Sequence, residues 1–352
     1  MNIGRIIFRG AFIAAVIGAI YAFLNIPIFV DYFRKQRSIN VLAWPNVIDA
    51  EYFAEFEKKT GIKIYLTYFD SYEELVIKLR AGGGDYDLVM ASDYAVNILM
   101  NDDLVKKINR EKINFWNNLY KPLLGLYYDP KNEYTIPFAW EIYGIGVNKD
   151  AFKGTIPQAS WALLFDDKIA PSRLGMLDDA REVVSIAALY LFGRKKKELS
   201  ASDLAHVKKL LLAQKKNVAM YTDLRTDYIL LSGTVPVTMG ISSNIYNAMR
   251  HHQNIHFLIP KEGSFILIDL WVLPKTTSKE DLVYEFLNYL YQPDILQKYA
   301  DRYNFFPVRD EVTSNDNRFF LAPTATLFSS LQFFNYVIPE QPLRELWIAL
   351  KA

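Results

Sequence analysis

The sequence predicts an α/β protein of two connected lobes preceded by one hydrophobic helix, and three observations carry that reading. Short apolar runs alternate with amphipathic helical patterns from residue 39 to 92, and a second region of the same kind begins near residue 173. Between them, two extended runs meet near Trp140 and Glu141 with no room for a helix, as expected where a chain crosses from one lobe to another. At 352 residues, 51% of them hydrophobic, the chain is long enough for two domains of ordinary size.

The first 37 residues differ from the rest. Arg5 and Arg9 precede the uncharged stretch "GAFIAAVIGAIYAFLNIPIFV" (10 to 30), which is long enough to cross a bilayer as a helix. No convincing pair of small residues before Asp31 marks a cleavage site, so an uncleaved signal anchor is expected ahead of a removable signal peptide. Arg34, Lys35 and Arg37 roughly balance the basic residues on the other side, and export of the bulk of the chain is the expected orientation.

"INVLAW" (39 to 44) reads as a buried strand and "DAEYFAEFEKKTG" (49 to 61) as a helix capped by Asp49 and ended by Gly61. "IKIYLTYF" (62 to 69) is strand-like. "SYEELVIKLRAG" (71 to 82) is helical with Ser71 and Glu74 as a capping box, and "YDLVMAS" (86 to 92) is a third strand. The β-α-β-α-β order predicts a parallel sheet with helical crossovers. The second region predicts strands at 173 to 177, 217 to 221, 234 to 240, 255 to 260 and 265 to 274. Its helices are expected at about 179 to 192, 202 to 214, 244 to 252, 279 to 292 and 293 to 303. No internal repeat or low-complexity linker interrupts the chain.

Composition excludes several functions. Residues 1 to 37 carry five basic side chains and one acidic, so the formal net charge of +1 leaves the remainder slightly acidic, which argues against nucleic acid as a partner. The absence of cysteine removes disulfides, thiolate metal sites, a cysteine nucleophile and a lipid-modified cysteine anchor.

The remaining motifs have ordinary structural readings. "AGGGD" (81 to 85) follows a helix and lacks the Lys-Ser/Thr of a phosphate loop, so it reads as a helix-to-strand turn. His251, His252 and His256 do not have the spacing of a zinc site, and "RKKKE" (194 to 198) reads as a solvated surface. Neither H-E-x-x-H nor G-x-S-x-G occurs, and no spacing singles out a carboxylate pair for glycoside hydrolysis. The sequence therefore predicts no cofactor, no metal and no catalytic residue.

"LDDAREV" (177 to 183) admits two readings. Asp179, with Glu182 three residues on, suits a helix start because both acids complement the helix dipole. The same spacing puts Asp179 and Glu182 on one helix face, where they could hold a cation together while Arg181 points elsewhere. Local pattern alone does not separate the two.

The order and spacing of several segments resemble the spermidine/putrescine-binding proteins of bacterial ABC transporters over residues 39 to 340. The segments are "AW" with the helix and "TGIKI" after it, "YDLVMASDYAV", "YTIPFAWEIYGIGVNKDAF", "LDDAREV", "PKEG" with the aspartate of "LID", and "PDILQKYA". The resemblance implies the two-lobed type II periplasmic-binding fold, with ligand between the lobes and a hinge of crossing strands. One lobe would be 38 to 142 with 268 to 313, the other 143 to 267 with 314 to 352. By position in the motifs, Asp179, Glu182 and Asp269 match the family's ammonium-binding carboxylates. Trp44, Ser92, Tyr94 and Gln332 match further ligand contacts.

Ile241 and Leu267 stand where the family has aromatic walls, Pro45 replaces a threonine and Val47 a tyrosine. Trp140 or Tyr246 could supply compensating rings to the ligand wall. The implied function is capture of spermidine or putrescine and delivery to the permease subunits of an importer in the inner membrane. The receptor would be a periplasmic monomer, tethered through its N-terminal helix. The altered walls keep open a receptor for another cationic or small solute. An enzyme using the interlobe acids lacks a nucleophile or metal motif, and a membrane-anchored sensory module would have only about nine residues before its apolar run.

Overall fold

The computed structural model describes Val16 and residues 37–352 except 83–84, 197, 223–224, 310, 313–324 and 335–337. The N-terminal helix expected over 10 to 30 lies outside the described residues, Val16 apart. Among the described residues no helix is long and apolar enough to cross a membrane.

The first three apolar runs pair as strands joined by helices must. β1 (Ser38–Ala43) lies parallel to both β2 (Lys63–Tyr68) and β3 (Leu88–Ser92), with the helices Phe53–Thr60 and Tyr72–Arg80 as crossovers. Asp49 accepts a hydrogen bond from the Glu51 amide at 2.7 Å and opens a short 3₁₀ turn, Ala50–Tyr52, ahead of the first helix. Gly61 closes that helix at φ 72°, a left-handed value that costs glycine little. Ser71 accepts from the Glu74 amide at 3.1 Å, whereas the Glu74 carboxylate takes the amide of Asp70 at 2.8 Å. The reciprocal half of the expected capping box is thus displaced by one residue.

After β4 (Val105–Lys106), the two short extended runs expected around Trp140 form one strand of thirteen residues, β5 (Ile136–Asn148). The following strands are β6 (Leu174–Met176), β7 (Val218–Tyr221), β8 (Val237–Ile241), β9 (Ile255–Leu258), β10 (Ser264–Pro274), β11 (Phe306–Pro307) and β12 (Leu331–Gln332). β5 remains continuous because its partners change along its length. Ile136–Ile142 pair with β10 and Tyr143–Val147 with β8, and the Ile142 amide at the change of partner donates to the Ser242 hydroxyl at 3.1 Å. Glycine permits the close contact there: a Cβ on Gly144 would stand 2.4 Å from a ring carbon of Phe257 and 2.7 Å from the Leu258 carbonyl oxygen.

The main path of the sheet runs β2-β1-β3-β10-β5-β8-β6-β7. One hydrophobic core is built from residues between Ile39 and Ile142 together with residues between Ile266 and Val312, plus Tyr246. A second is built from residues between Tyr143 and Phe265 together with Phe334, Ile338 and the leucines of the last helix, Glu340–Lys351. That helix and the helices Asp93–Asn101, Thr226–Leu231 and Ala325–Ser330 were not evident from the sequence pattern.

Candidate functional site

Strand register brings residues far apart in sequence onto one surface. On β10, Asp269 lies opposite Ser92 of β3 on one side and Ala139 of β5 on the other. Leu267 lies opposite Glu141, and Phe265 opposite Gln332 of β12, while Tyr143 lies opposite Ile241 of β8. Side chains alternate along a strand with period two, so Phe265, Leu267 and Asp269 share a face with Ala139, Glu141 and Tyr143. Ser92, Ile241, Leu267, Asp269 and Gln332, all singled out from the sequence, therefore stand on one face of the sheet.

The same face carries an acid that the sequence reading missed. Glu141 is buried and accepts a 3.2 Å hydrogen bond from the amide of Ser243, at the start of the helix Ser242–His251. Asp93, also missed, is buried in the first turn of the Asp93–Asn101 helix and accepts from the Tyr127 hydroxyl at 3.0 Å. Asp269 is only 3% exposed and has neither a hydrogen-bond donor nor an ion-pair partner among the described residues. Glu141 carried a local signal, an isolated acid inside the apolar run "IPFAWEIYG"; Asp93 carried none beyond its place after a strand.

Burial dominates the electrostatics. It pushes the Asp93 carboxyl up to about 6 against the opposing Tyr127 hydrogen bond, and the Glu141 carboxyl up to about 7 against its bonds from Ser243. The Asp269 carboxyl rises well above the ordinary carboxylate range, through burial first and then the negative charges of Glu141 and Asp93. No described lysine or arginine forms an ion pair with any of these three acids. Burial thus raises the proton affinity of all three acids.

Asp179 and Glu182 approach from the other core. Asp179 caps the helix Ala180–Phe192, accepting from the Glu182 amide at 2.8 Å, so the helix-start reading of these acids is correct at the level of local structure. The carboxylate of Glu182 accepts from the hydroxyl of Tyr143, which ties it to the face that carries Asp269. The Arg181 guanidinium lies 4.8 Å from the ring of Tyr94 and pairs with Glu340.

Strand register does not put three further predicted residues, Trp44, Trp140 and Tyr246, on this face. Trp44 is half-buried just past β1, with its ring centroid 4.2 Å from that of Phe69. Trp140, a candidate ligand wall, is 1% exposed, donates its indole N–H to the Pro307 carbonyl at 3.1 Å and stacks on Phe306 at 4.4 Å. Strand alternation puts it on the face of β5 opposite Glu141, so it serves the core. Tyr246 is buried beside the same Phe306, at 6.1 Å. Ile241 and Leu267 are partly exposed aliphatic residues on the acidic face. Ser92 doubles as the cap of its helix, accepting from the Ala95 amide at 3.3 Å. The side-chain amide nitrogen of Gln332 is buried without a hydrogen-bond partner among the described residues. Among the described residues, no group of three or more His, Asp or Glu is arranged to hold a metal ion.

Comparison with known proteins identifies the family. The profile of the bacterial extracellular solute-binding protein family matches residues 51–319. A putrescine-binding periplasmic protein of Escherichia coli is 30% identical over 284 residues, 76% of each chain. A spermidine/putrescine-binding periplasmic protein of Salmonella typhimurium is 29% identical over 264 residues, 73% of this chain and 74% of that one. Among solved structures, a lipoprotein of Treponema pallidum superposes with a TM-score of 0.78 at 23% identity, covering 89% of this chain and 99% of its own. A spermidine/putrescine ABC transporter substrate-binding protein of Streptococcus pneumoniae gives 0.75 at 22%, covering 90% and 98%. The two structural likenesses bear on the fold alone, a mixed α/β architecture shared with solute-binding proteins.

Proposed function

The chain belongs to the bacterial extracellular solute-binding proteins, a family of transport components and not enzymes, and from that premise we propose that it captures a polyamine for an ABC importer. The relatives named for putrescine and spermidine support the ligand class. The observation that carries the reading is Asp269, a buried carboxyl group without a counter-charge among the described residues, on a face shared with a partly exposed apolar side chain, Leu267. A polyamine is a methylene chain with ammonium groups at intervals, and its receptor needs separated acids with an apolar slot between them. Asp269 at one end, Asp179 and Glu182 at the other, and Ile241 and Leu267 between answer that description.

In this reading the lobes are residues 38–142 with 268–313, and 143–267 with 314–352. The division of the hydrophobic core near Ile142 and Ile266 supports it. β5 and β10 are the hinge, Trp44 and Tyr94 add rings to the cleft, and Ser92 and Gln332 add polar contacts. Closure over the ligand presents one lobe arrangement to a permease, which converts affinity into transport. The protein works in the periplasm as a monomer, and residues 10 to 30 tether it to the inner membrane. The aliphatic Ile241 and Leu267 favour, as a second reading, another cationic solute whose binding needs no aromatic walls.

Calorimetric titration with putrescine and spermidine tests the proposal. Saturable binding by the parent, weakened in both Glu182→Gln and Asp269→Asn, is the expected result. A parent that binds neither amine overturns the polyamine assignment.

A further inference from the structure

Asp93, Glu141 and Asp269 were not expected as a group: the family resemblance singles out only the last of them as a ligand-binding acid. Glu141 and Asp269 are diagonal neighbours across the antiparallel β5–β10 pair, on one face, a spacing that long side chains bridge. Their surroundings differ. Glu141 has the Ser243 amide at the start of a ten-residue helix, whereas Asp269 has no donor among the described residues.

Resting on the reading of the chain as a cation receptor, we propose that Glu141 is a ligand-binding residue that shares one cationic head group with Asp269. The chemistry that fits is a primary ammonium or a guanidinium, each with several N–H donors and able to span two carboxylates.

Two independent observations point to a ligand there. Asp269 is more than nine-tenths buried and has no hydrogen-bond or ion-pair partner among the described residues, although it lies in a strand paired on both sides. Gln332, which stands on the same face opposite Phe265, is likewise more than nine-tenths buried, and its amide nitrogen has no acceptor among the described residues. Two buried groups in want of opposite partners on one face are a built site and not a packing accident. The alternative role for Glu141 is positional, as a partner for the helix amide of Ser243 across the crossing from β5 to β8. A neutral glutamine retains that hydrogen bond and removes the charge, so it separates the two roles.

The charged groups around Glu141 define what a titration would see. Asp269 comes from β10, and Asp93 with Tyr127 lies beyond it. Glu182 with Tyr143 lies further along β5, and Arg181 is engaged by Glu340 and Tyr94. None supplies a cation to the Glu141–Asp269 pair. Seating a cation between the two acids therefore discharges a proton that the unliganded pair retains.

The test uses the purified full chain and titrates putrescine and spermidine into parent and Glu141→Gln protein at pH 6.5. It is run in two buffers of different ionisation heat, and the melting temperature of each unliganded protein is recorded. The inference expects at least tenfold weaker binding of either amine by the variant, proton release by the parent that is reduced in the variant, and no loss of unliganded stability. Binding by the variant within twofold of the parent, with the same proton release, would overturn the role of Glu141 while leaving polyamine capture intact. A parent that binds neither amine overturns both. If Glu141→Gln folds poorly, Glu141→Asp serves instead: it keeps the charge and shortens the reach, and parent-like affinity there, with a fully folded protein, would count against a shared head group.

Discussion

The guanidinium of Arg181 lies 4.8 Å from the centroid of the Tyr94 ring, and this contact joins a helix that packs on the second core to one that packs on the first. Neighbouring residues make it consequential, because Asp179 and Glu182 flank Arg181 and Ser92 precedes Tyr94 by two positions. The contact therefore couples the two sides at the residues assigned to ligand.

Tyr94→Leu keeps the bulk and removes the π-face. A partly exposed cation–π contact contributes about 0.5–1 kcal/mol, so ligand should dissociate roughly two- to fivefold faster with little change in melting temperature. Stopped-flow displacement measures the rate; an unchanged rate would mean that the contact does not hold the lobes together.

Asp179 caps a helix and is proposed to bind ligand, and the two roles are separable. Asp179→Asn preserves the cap, because asparagine caps helices as well as aspartate, whereas Asp179→Ala costs about 1 kcal/mol of stability. If Asp179 also faces the ligand, both variants bind polyamine more weakly and only the alanine variant melts lower. Equal affinity in the asparagine variant would confine Asp179 to capping.

Glu182→Gln and Asp269→Asn each remove a charge-assisted contact of roughly 1.5–3 kcal/mol, which corresponds to about a ten- to hundredfold loss in affinity. Asp269→Asn should leave the unliganded protein as stable as the parent or more so at pH 8, because it removes a buried ionisable group that has no counter-charge. Paired titration calorimetry and thermal melts would show this; a large drop in melting temperature would point instead to a structural role.

The pH dependence has a definite sign. Asp93, Glu141 and Asp269 have folded values raised above the unfolded value of about 4, so they bind protons more tightly when folded. Their stabilising contribution is complete below pH 4 and is lost as the pH rises through about 6 for Asp93 and about 7 for Glu141. Asp203, held down to about 2 by Lys196 and Ser200, acts oppositely: its contribution is present above the unfolded value and lost only in strong acid. Between pH 5 and 8 the parent should therefore lose more stability than Glu141→Gln, by about 1–3 kcal/mol in denaturant unfolding. The rise in melting temperature on adding putrescine should be larger at pH 8 than at pH 5. The same loss in both proteins would show that Glu141 ionises as freely folded as unfolded.

Gly144→Ala tests the crossing strand. Its Cβ would stand 2.4 Å and 2.6 Å from ring carbons of Phe257, so the ring or the strand must shift, at a cost of roughly 1–3 kcal/mol. The melting temperature should fall, and a variant as stable as the parent would mean that the Phe257 ring relocates freely.

What the sequence by itself determined was what local chemistry encodes. Alternating apolar runs and helical patterns placed the strands and most helices, and Asp49, Gly61, Ser71 and Asp179 marked helix ends because caps act within three residues. The family resemblance pointed to Asp269, Glu182 and the aliphatic pair Ile241 and Leu267. The helix after Ser92 escaped because only Ser92 and Asp93, its cap and first residue, separate its apolar stripe from that of β3. Only the tertiary structure decided which residues share a surface. Glu141 meets Asp269 because two strands 128 positions apart pair antiparallel in one register, and a shift of one residue would send Glu141 to the Trp140 side. Burial then decides charge: a carboxylate's affinity for protons depends on the water and counter-charges that the assembled fold removes or supplies, and no neighbouring residue in the sequence reports either.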